Sequence, residues 1–212
     1  MSIKITTLVE NSVYGKGLQG EHGLSLLVDT GEHRLLFDTG ASDLFIRNAR
    51  ILGIDLKEVD FLVLSHGHRD HTGGLHHFLA VNDKAQVVCK RELFQLKFKD
   101  ERENGVMQPD ALDSTRFRFV DEVTELCRGV FVFPQLPVTD EEDTHFEHFF
   151  TWAEGRKQAD TFTDELALVL KQGAEVSVLS ACSHRGITNI IRAVQEYFPQ
   201  TSLKLVLGGF HI

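Results

Sequence analysis

Residues 61–74 of this chain read Phe61-Leu62-Val63-Leu64-Ser65-His66-Gly67-His68-Arg69-Asp70-His71-Thr72-Gly73-Gly74. The first four residues form an apolar run that is typical of a short strand buried on both faces. Side chains two positions apart on extended backbone point to the same side, and a metal ion needs several nitrogen or oxygen donors at about 2 Å. The pattern His66-x-His68-x-Asp70-His71 therefore predicts a metal site at the end of a buried strand, rather than a set of polar side chains that only face solvent.

The rest of the chain predicts a fold of the α/β or α+β class, in which strands outnumber helices. We expect strands at 3–9, 24–28, 34–37, 61–64, 86–89, 116–120, 130–133, 166–170, 176–179 and 203–207, and helices at 44–52, 75–81 and 187–198. We interpret residues 1–212 as a single domain, with 100–163 as a lid or an insertion. Within that segment, the spacing of His145 and His148 beside several phenylalanines predicts one helical turn that packs in the core or lid.

Composition excludes several classes of protein. The chain has 212 residues and a net charge of −9, whereas a general nucleic-acid binder needs a basic face. No apolar run is long enough to span a bilayer, and residues 1–11 lack a signal-peptide pattern. Three sparse cysteines, Cys89, Cys127 and Cys182, are typical of a reducing compartment and predict no disulfide. We therefore expect a cytoplasmic protein whose partner is a small-molecule substrate, not nucleic acid or a membrane.

Several motifs resemble one family. The run from Ser65 to Gly74 resembles the signature loop of the metallo-β-lactamase superfamily, and Phe37-Asp38-Thr39-Gly40 resembles its upstream motif. Three more stretches are similar to one subfamily, the dihydropterin-ribofuranosylaminobenzene-phosphate synthase-like metal-dependent hydrolases. These stretches are Glu21-His22-Gly23-Leu24-Ser25, Cys182-Ser183-His184-Arg185-Gly186-Ile187 and Gly208-Gly209-Phe210-His211. The resemblance implies an αββα sandwich with metal ions at the edge of its two sheets.

The resemblance also implies a set of metal ligands. They are His66, His68 and His184 for one ion, and Asp70 and His71 for a second. His211 falls where the superfamily usually has a bridging aspartate, and Asp38 would orient the loop by hydrogen bonds. The family pattern continues past this point with a helix, a strand and a histidine that the 212 residues do not contain, so the resemblance leaves the second site incompletely defined. Zinc suits three histidines best, as one or two ions, and iron or manganese is the alternative.

Other residues have two interpretations each. Glu21 and His22 lie either near the pocket or in a turn before a strand. Cys182 is either a thiolate ligand or a packed thiol. Asp164 and Glu165 precede a strand, and they either face the site or are solvated acids.

The leading functional hypothesis is a metal-dependent hydrolase that attacks a small ester, phosphoester or similar substrate with metal-activated water. Asp70 is the candidate catalytic residue, because it can orient the water or accept its proton. The first alternative is a pterin-type transferase, in which the metal activates a pyrophosphate leaving group. Arg185, at the start of a helix, is the candidate for binding a substrate phosphate. The second alternative is a non-catalytic metal-binding protein.

Overall fold

The computed structural model describes residues 3–106 and 114–211. The strands are β1 (Lys4–Val9), β2 (Ser25–Asp29), β3 (Arg34–Phe37), β4 (Phe61–Val63), β5 (Gln86–Cys89), β6 (Lys97–Lys99), β7 (Arg102–Glu103), β8 (Phe117–Phe119), β9 (Thr124–Cys127), β10 (Val130–Phe133), β11 (Phe149–Ala153), β12 (Arg156–Ala159), β13 (Ala167–Gln172), β14 (Glu175–Ser180) and β15 (Ser202–Gly208). The α-helices are α1 (Leu44–Ile51), α2 (Arg69–Thr72), α3 (Leu75–Val81) and α4 (Ile187–Tyr197). Short 3-10 helices lie at Leu56–Glu58, Arg91–Phe94 and Ser114–Arg116.

The chain divides into two compact units, which are residues 1–89 with 105–118, and residues 90–104 with 119–212. The first unit contains a six-stranded sheet in the order β1-β2-β3-β4-β5-β8, whose last strand ends at the boundary. Strands β1, β2 and β3 are antiparallel, whereas β3, β4 and β5 run parallel. After its first residue, each parallel strand is apolar and buried, as expected for a sheet covered on both faces.

The parallel pairing of β3 and β4 positions the predicted metal loop. Phe37 at the end of β3 lies opposite Val63 at the end of β4. The backbone N–H of Asp38 then donates to the carbonyl of Val63 at 2.9 Å. Because parallel strands bring their carboxyl ends to one edge of a sheet, Asp38 and the loop that follows β4 begin side by side.

The second unit contains two sheets. A five-stranded sheet has the order β15-β14-β13-β10-β9, and a four-stranded sheet has the order β12-β11-β6-β7. Helix α4 packs on the five-stranded sheet, where Ile190 and Val194 join Phe133, Val169 and Val178 in one buried cluster. Burial of such side chains contributes about 1.5–3 kcal/mol each, so this cluster anchors the helix. The chain between β14 and α4, residues 181–186, carries the second histidine motif.

The structure confirms the predicted helices and strands, and with them the fold class. Residues 145–148 are an exception, because they lie outside any helix and His148 has a left-handed backbone with φ of 67°. Four strands in the described part of the segment 100–163, namely β7, β9, β11 and β12, were not predicted. The assignment of that segment as a lid stays a prediction, and its residues 107–113 lie outside the described ranges. Within those ranges no helix has both the length and the apolar character that a membrane crossing requires.

Candidate metal centre

The loop after β4 gathers three buried imidazoles in the first unit. The ring centroid of His66 lies 4.7 Å from that of His68 and 4.4 Å from that of His71. His68 is extended and immediately precedes α2, and His71 follows within the single turn of that helix. All three side chains are buried. Imidazole nitrogens grouped in this way are the donors that zinc and similar cations prefer.

The side chain of Asp38 holds this loop in place by hydrogen bonds. The backbone of Asp38 is itself left-handed, with φ of 58°. Its carboxylate accepts hydrogen bonds from the Ser65 N–H at 2.7 Å, the Ser65 hydroxyl at 2.6 Å and His71 Nδ1 at 2.8 Å. Ser65 Oγ gives its only proton to Asp38, so it must accept from His66 Nδ1, 2.8 Å away. His66 and His71 are therefore both fixed with Nδ1 protonated, which leaves Nε2 as the atom that can bind a metal.

Asp70 places a carboxylate beside this set. Its Oδ2 lies 3.4 Å from His71 Nε2 and 3.3 Å from His22 Nε2. Burial alone would raise the pKa of Asp70, but the charge of His71 and the hydrogen bond from it outweigh burial and hold the pKa well below its usual range. A carboxylate at this distance from His71 Nε2 is stabilised by a positive charge there, which either a proton on the ring or a bound cation would supply. The donor set therefore fits a divalent metal.

The remaining candidates of the first unit have different surroundings. His22 is largely exposed and contacts Asp70, so it lies beside the predicted ligands. The carboxylate of Glu21 accepts from the backbone N–H groups of Ala41 and Ser42, at 3.0 and 3.1 Å, and from the Ser42 hydroxyl at 2.7 Å. Glu21 thus ties down the turn that follows Asp38, which is the turn role that the sequence left open for it.

In the second unit, Cys182, His184 and His211 form another group of donors. One ligand atom from each lies within 4.8 Å of the other two, and the rings of His184 and His211 are 4.8 Å apart. Ligand atoms around a tetrahedral zinc ion lie roughly 3.3–3.8 Å apart, because the bonds are about 2.0–2.3 Å long. Small side-chain shifts would bring these three donors onto one ion, and His211 is exposed enough to move.

His184 is held on several sides. Its Nδ1 donates to the carbonyl of His145 at 2.9 Å, and the N–H of His145 donates to the carbonyl of His184 at 2.8 Å. The ring of Phe162 stacks on the imidazole at 3.8 Å and 10°, and Phe149 meets its edge at 5.1 Å. The protonated Nδ1 leaves Nε2 as the metal-binding atom, as in His66 and His71.

Glu165 and Arg185 are both tied to the backbone around His184. The two oxygens of Glu165 accept from the N–H groups of His184 and Arg185, each at 2.8 Å. Burial raises the pKa of Glu165 to about 7, although these two backbone donors partly offset the effect. The guanidinium of Arg185 donates to the carbonyls of Leu136 at 2.6 Å and Thr161 at 2.5 Å. The interpretation of Glu165 as a solvated acid is wrong, and phosphate binding by Arg185 stays a prediction.

Sequence reasoning missed Lys97, which is completely buried between Asp160 and Asp164. Its Nζ lies 2.7 Å from Asp160 Oδ2 and 2.9 Å from Asp164 Oδ1. Burial would lower the pKa of Lys97, but the carboxylates of Asp164 and Asp160 outweigh it and keep the ammonium charged. Asp164 is therefore not a solvated acid either.

Each unit by itself thus presents buried nitrogen donors with fixed tautomers. The joint binding of one ion by His66, His68 and His184 stays a prediction.

The family model of the metallo-β-lactamase superfamily matches residues 18–164. The chain belongs to that superfamily and has its fold, an α/β sandwich.

Individual proteins of known name or structure are similar to this chain. The chain is 28% identical, over its whole length and 78% of the relative, to 7,8-dihydropterin-6-methyl-4-(beta-D-ribofuranosyl)-aminobenzene-5'-phosphate synthase of Methanocaldococcus jannaschii. It is 34% identical to the solved structure of Tm1679, described as a metal-dependent hydrolase of the β-lactamase superfamily, with a TM-score of 0.83 over 99% of this chain and 77% of that one. The metallo-β-lactamase MIM-1 of Novosphingobium pentaromativorans shares the fold at 16% identity and a TM-score of 0.53, over 88% of this chain and 70% of that one.

Proposed function

We propose that this protein is a metal-dependent hydrolase of a small-molecule ester, phosphoester or similar substrate, with zinc as the favoured ion and iron or manganese as the alternatives. The observation that carries the proposal is the loop after β4, in which buried imidazoles are fixed as Nε2 donors beside an ionised carboxylate. The similarity to Tm1679, a protein described as a metal-dependent hydrolase, supports the same reaction class.

The residues of the loop after β4 would have separate roles in metal binding and in the activation of water. His66, His68 and His71 would hold metal through Nε2, while Asp38 and Ser65 keep the rings of His66 and His71 oriented. A divalent cation bound there lowers the pKa of a water molecule and polarises the oxygen of the scissile group. Asp70 lies at the same loop, where its carboxylate would orient the attacking water or accept its proton.

A pterin-type transferase is the second candidate, because the methanogen relative is named as a synthase. That reaction would need a cation to bind the phosphates of the substrate. Arg185 is the candidate cation, although at least two of its N–H groups already donate to backbone carbonyls. Substrate phosphate would therefore have to bind through the remaining donors of the guanidinium or displace those carbonyls.

Metal binding is tested first. Elemental analysis and zinc titration should show at least one tightly bound ion per chain. His68→Ala should lose tight binding at its site, because affinity depends on the whole ligand set. His76→Ala is the matched control, since His76 is an exposed histidine on α3 outside the donor set and its loss should not alter the titration. A wild-type chain that neither contains nor takes up metal would contradict the proposal.

A substrate panel then separates the two reactions. Esters, lactones and phosphodiesters are offered to the metal-loaded protein together with pterin substrates that carry a pyrophosphate leaving group. Hydrolysis that a chelator abolishes and zinc restores supports the hydrolase. Turnover of the pterin substrates alone, with release of pyrophosphate, would support the transferase instead.

A further inference from the structure

We propose that Glu165 is a positioning residue that fixes the main chain of His184, so that this histidine presents Nε2 to a metal ion; this inference rests on the proposed function. The two carboxylate oxygens accept from two consecutive backbone N–H groups, those of His184 and Arg185, each at 2.8 Å. Glu165 is buried, so water does not compete for these bonds.

The backbone beside His184 needs such an external restraint. Ser183 has φ of 57°, in the left-handed region that side-chain-bearing residues adopt only uncommonly. Gly186, at φ of 89°, completes the turn before α4, and its N–H donates to the carbonyl of Ser183 at 2.9 Å. This internal hydrogen bond closes the turn around residues 184–185 without engaging their own N–H groups. Glu165 supplies the acceptors for both.

The ring and the backbone N–H of His184 are held by different groups, and the N–H of His145 holds the backbone carbonyl. The carbonyl of His145 sets the tautomer, and the face of Phe162 sets the plane of the ring. Neither of these contacts holds the N–H of residue 184, which Glu165 binds. Loss of the Glu165 contact would therefore leave the main chain of His184 held at its carbonyl but not at its N–H, so the imidazole would be less firmly positioned.

Glu165 is itself fixed in place. Its N–H donates to the carbonyl of Phe162 at 3.0 Å, which closes a turn that also carries the stacking ring. The neighbouring Asp164 is bound to the buried ammonium of Lys97 at 2.9 Å. The carboxylate thus lies on a rigid support, as expected of a residue that orients a ligand rather than one that fills space.

The chemistry of the contact requires a carboxylate. Two parallel N–H donors need two acceptors, and a carboxylate offers both oxygens. Glutamine has the same shape, but its amide offers one acceptor and one NH₂ donor. In Glu165→Gln one of the two backbone N–H groups would therefore face another donor.

The test compares zinc affinity in two variants, measured by competition with a chelating dye. Glu165→Gln should bind zinc at the His184 site roughly 10–100-fold more weakly, the range typical of residues that orient metal ligands. Asp143→Asn is the matched control, because Asp143 accepts from the N–H and hydroxyl of Thr188 at the start of the same helix, 2.9 and 2.8 Å away. That change should destabilise the helix end without altering zinc affinity.

Two further measurements exclude a merely structural role. The absorption spectrum of the cobalt(II) form should change in Glu165→Gln, because the ligand geometry changes, and should remain that of the wild type in Asp143→Asn. Wild-type affinity together with a wild-type cobalt spectrum in Glu165→Gln would overturn the proposal.

In the metal-free wild type, the amide protons of His184 and Arg185 should exchange slowly in NMR experiments, and this needs no variant to fold. Rapid exchange of both would overturn the proposal even if Glu165→Gln cannot be purified. A wild-type chain that binds no zinc contradicts the proposed function itself, and the exchange data then still decide whether Glu165 holds the loop.

Discussion

Replacing Lys97 with methionine removes the ammonium group that lies between two buried carboxylates, those of Asp160 and Asp164. Methionine keeps most of the length and apolar stem of lysine, so the change removes the ammonium group and leaves the packing largely intact. Lys97, Asp160 and Asp164 are 1%, 3% and 0% exposed. Neither carboxylate can therefore turn to water when the ammonium is lost.

The expected cost follows from this burial. Removing one partner of a buried ion pair typically costs about 3–5 kcal/mol, because an uncompensated charge remains in the interior. Here two carboxylates lose the same partner, so we expect the upper part of that range at neutral pH. Since domains are stable by about 5–15 kcal/mol in total, the variant should be close to unfolding.

Urea denaturation followed by circular dichroism measures the change in the free energy of unfolding. Lys204→Met is the matched control: its ammonium lies 2.6 Å from Glu175, but the two side chains are 51% and 47% exposed. Exposed pairs contribute about 0–1 kcal/mol. Adding Asp160→Asn and Asp164→Asn to Lys97→Met should restore part of the lost stability. Equal small losses for Lys97→Met and Lys204→Met would refute the reasoning.

Two other predictions concern the metal site and the cysteines. Asp70→Asn removes the proton acceptor, so turnover should fall by roughly 10² or more, mainly in the chemical step, while the histidine ligands still bind zinc. Metal analysis and steady-state rates of both forms check this, and normal turnover at normal metal content would show that Asp70 is only structural. None of Cys89, Cys127 and Cys182 is joined to another by a disulfide in the part of the chain that the structure describes, so titration of the denatured, non-reduced protein should give three thiols, and a single thiol would contradict the reducing compartment inferred from the sequence.

The sequence predicted those parts of the fold that local patterns encode. The apolar run at 61–64 predicted β4, the segments on either side of the turn at 30–33 predicted β2 and β3, and the spacing of 187–198 predicted α4. The segment 100–163 was harder, because its strands are short and interrupted by charged and turn residues. The prediction of a helical turn at His145 and His148 was wrong. The spacing of their apolar neighbours is compatible with a helix but does not exclude a turn with a left-handed residue such as His148.

Some residues of the candidate site could likewise be predicted from the sequence, and others could not. His66, His68, Asp70 and His71 lie within six residues, so their spacing alone revealed them. Lys97 is 63 and 67 residues from its two partners, and Glu165 is 19 residues from His184. Contacts between residues so far apart in sequence leave no local pattern. Glu165 binds backbone N–H groups, which nearly every residue type has, so no particular side chain in the sequence indicates its partner. Residues that orient other residues are therefore the ones that only the folded chain reveals.

The pairing of His145 with His184 limits how the protein can be re-engineered. His145 lies in a segment that could be taken for a dispensable appendage, yet its carbonyl decides which nitrogen of His184 carries the proton. A graft of that segment from a relative would have to bring a carbonyl to the same point, whatever side chain came with it. Variation at position 145 is thus constrained in backbone path rather than in residue type, and insertions or deletions around it would alter the chemistry of a histidine nearly forty residues away.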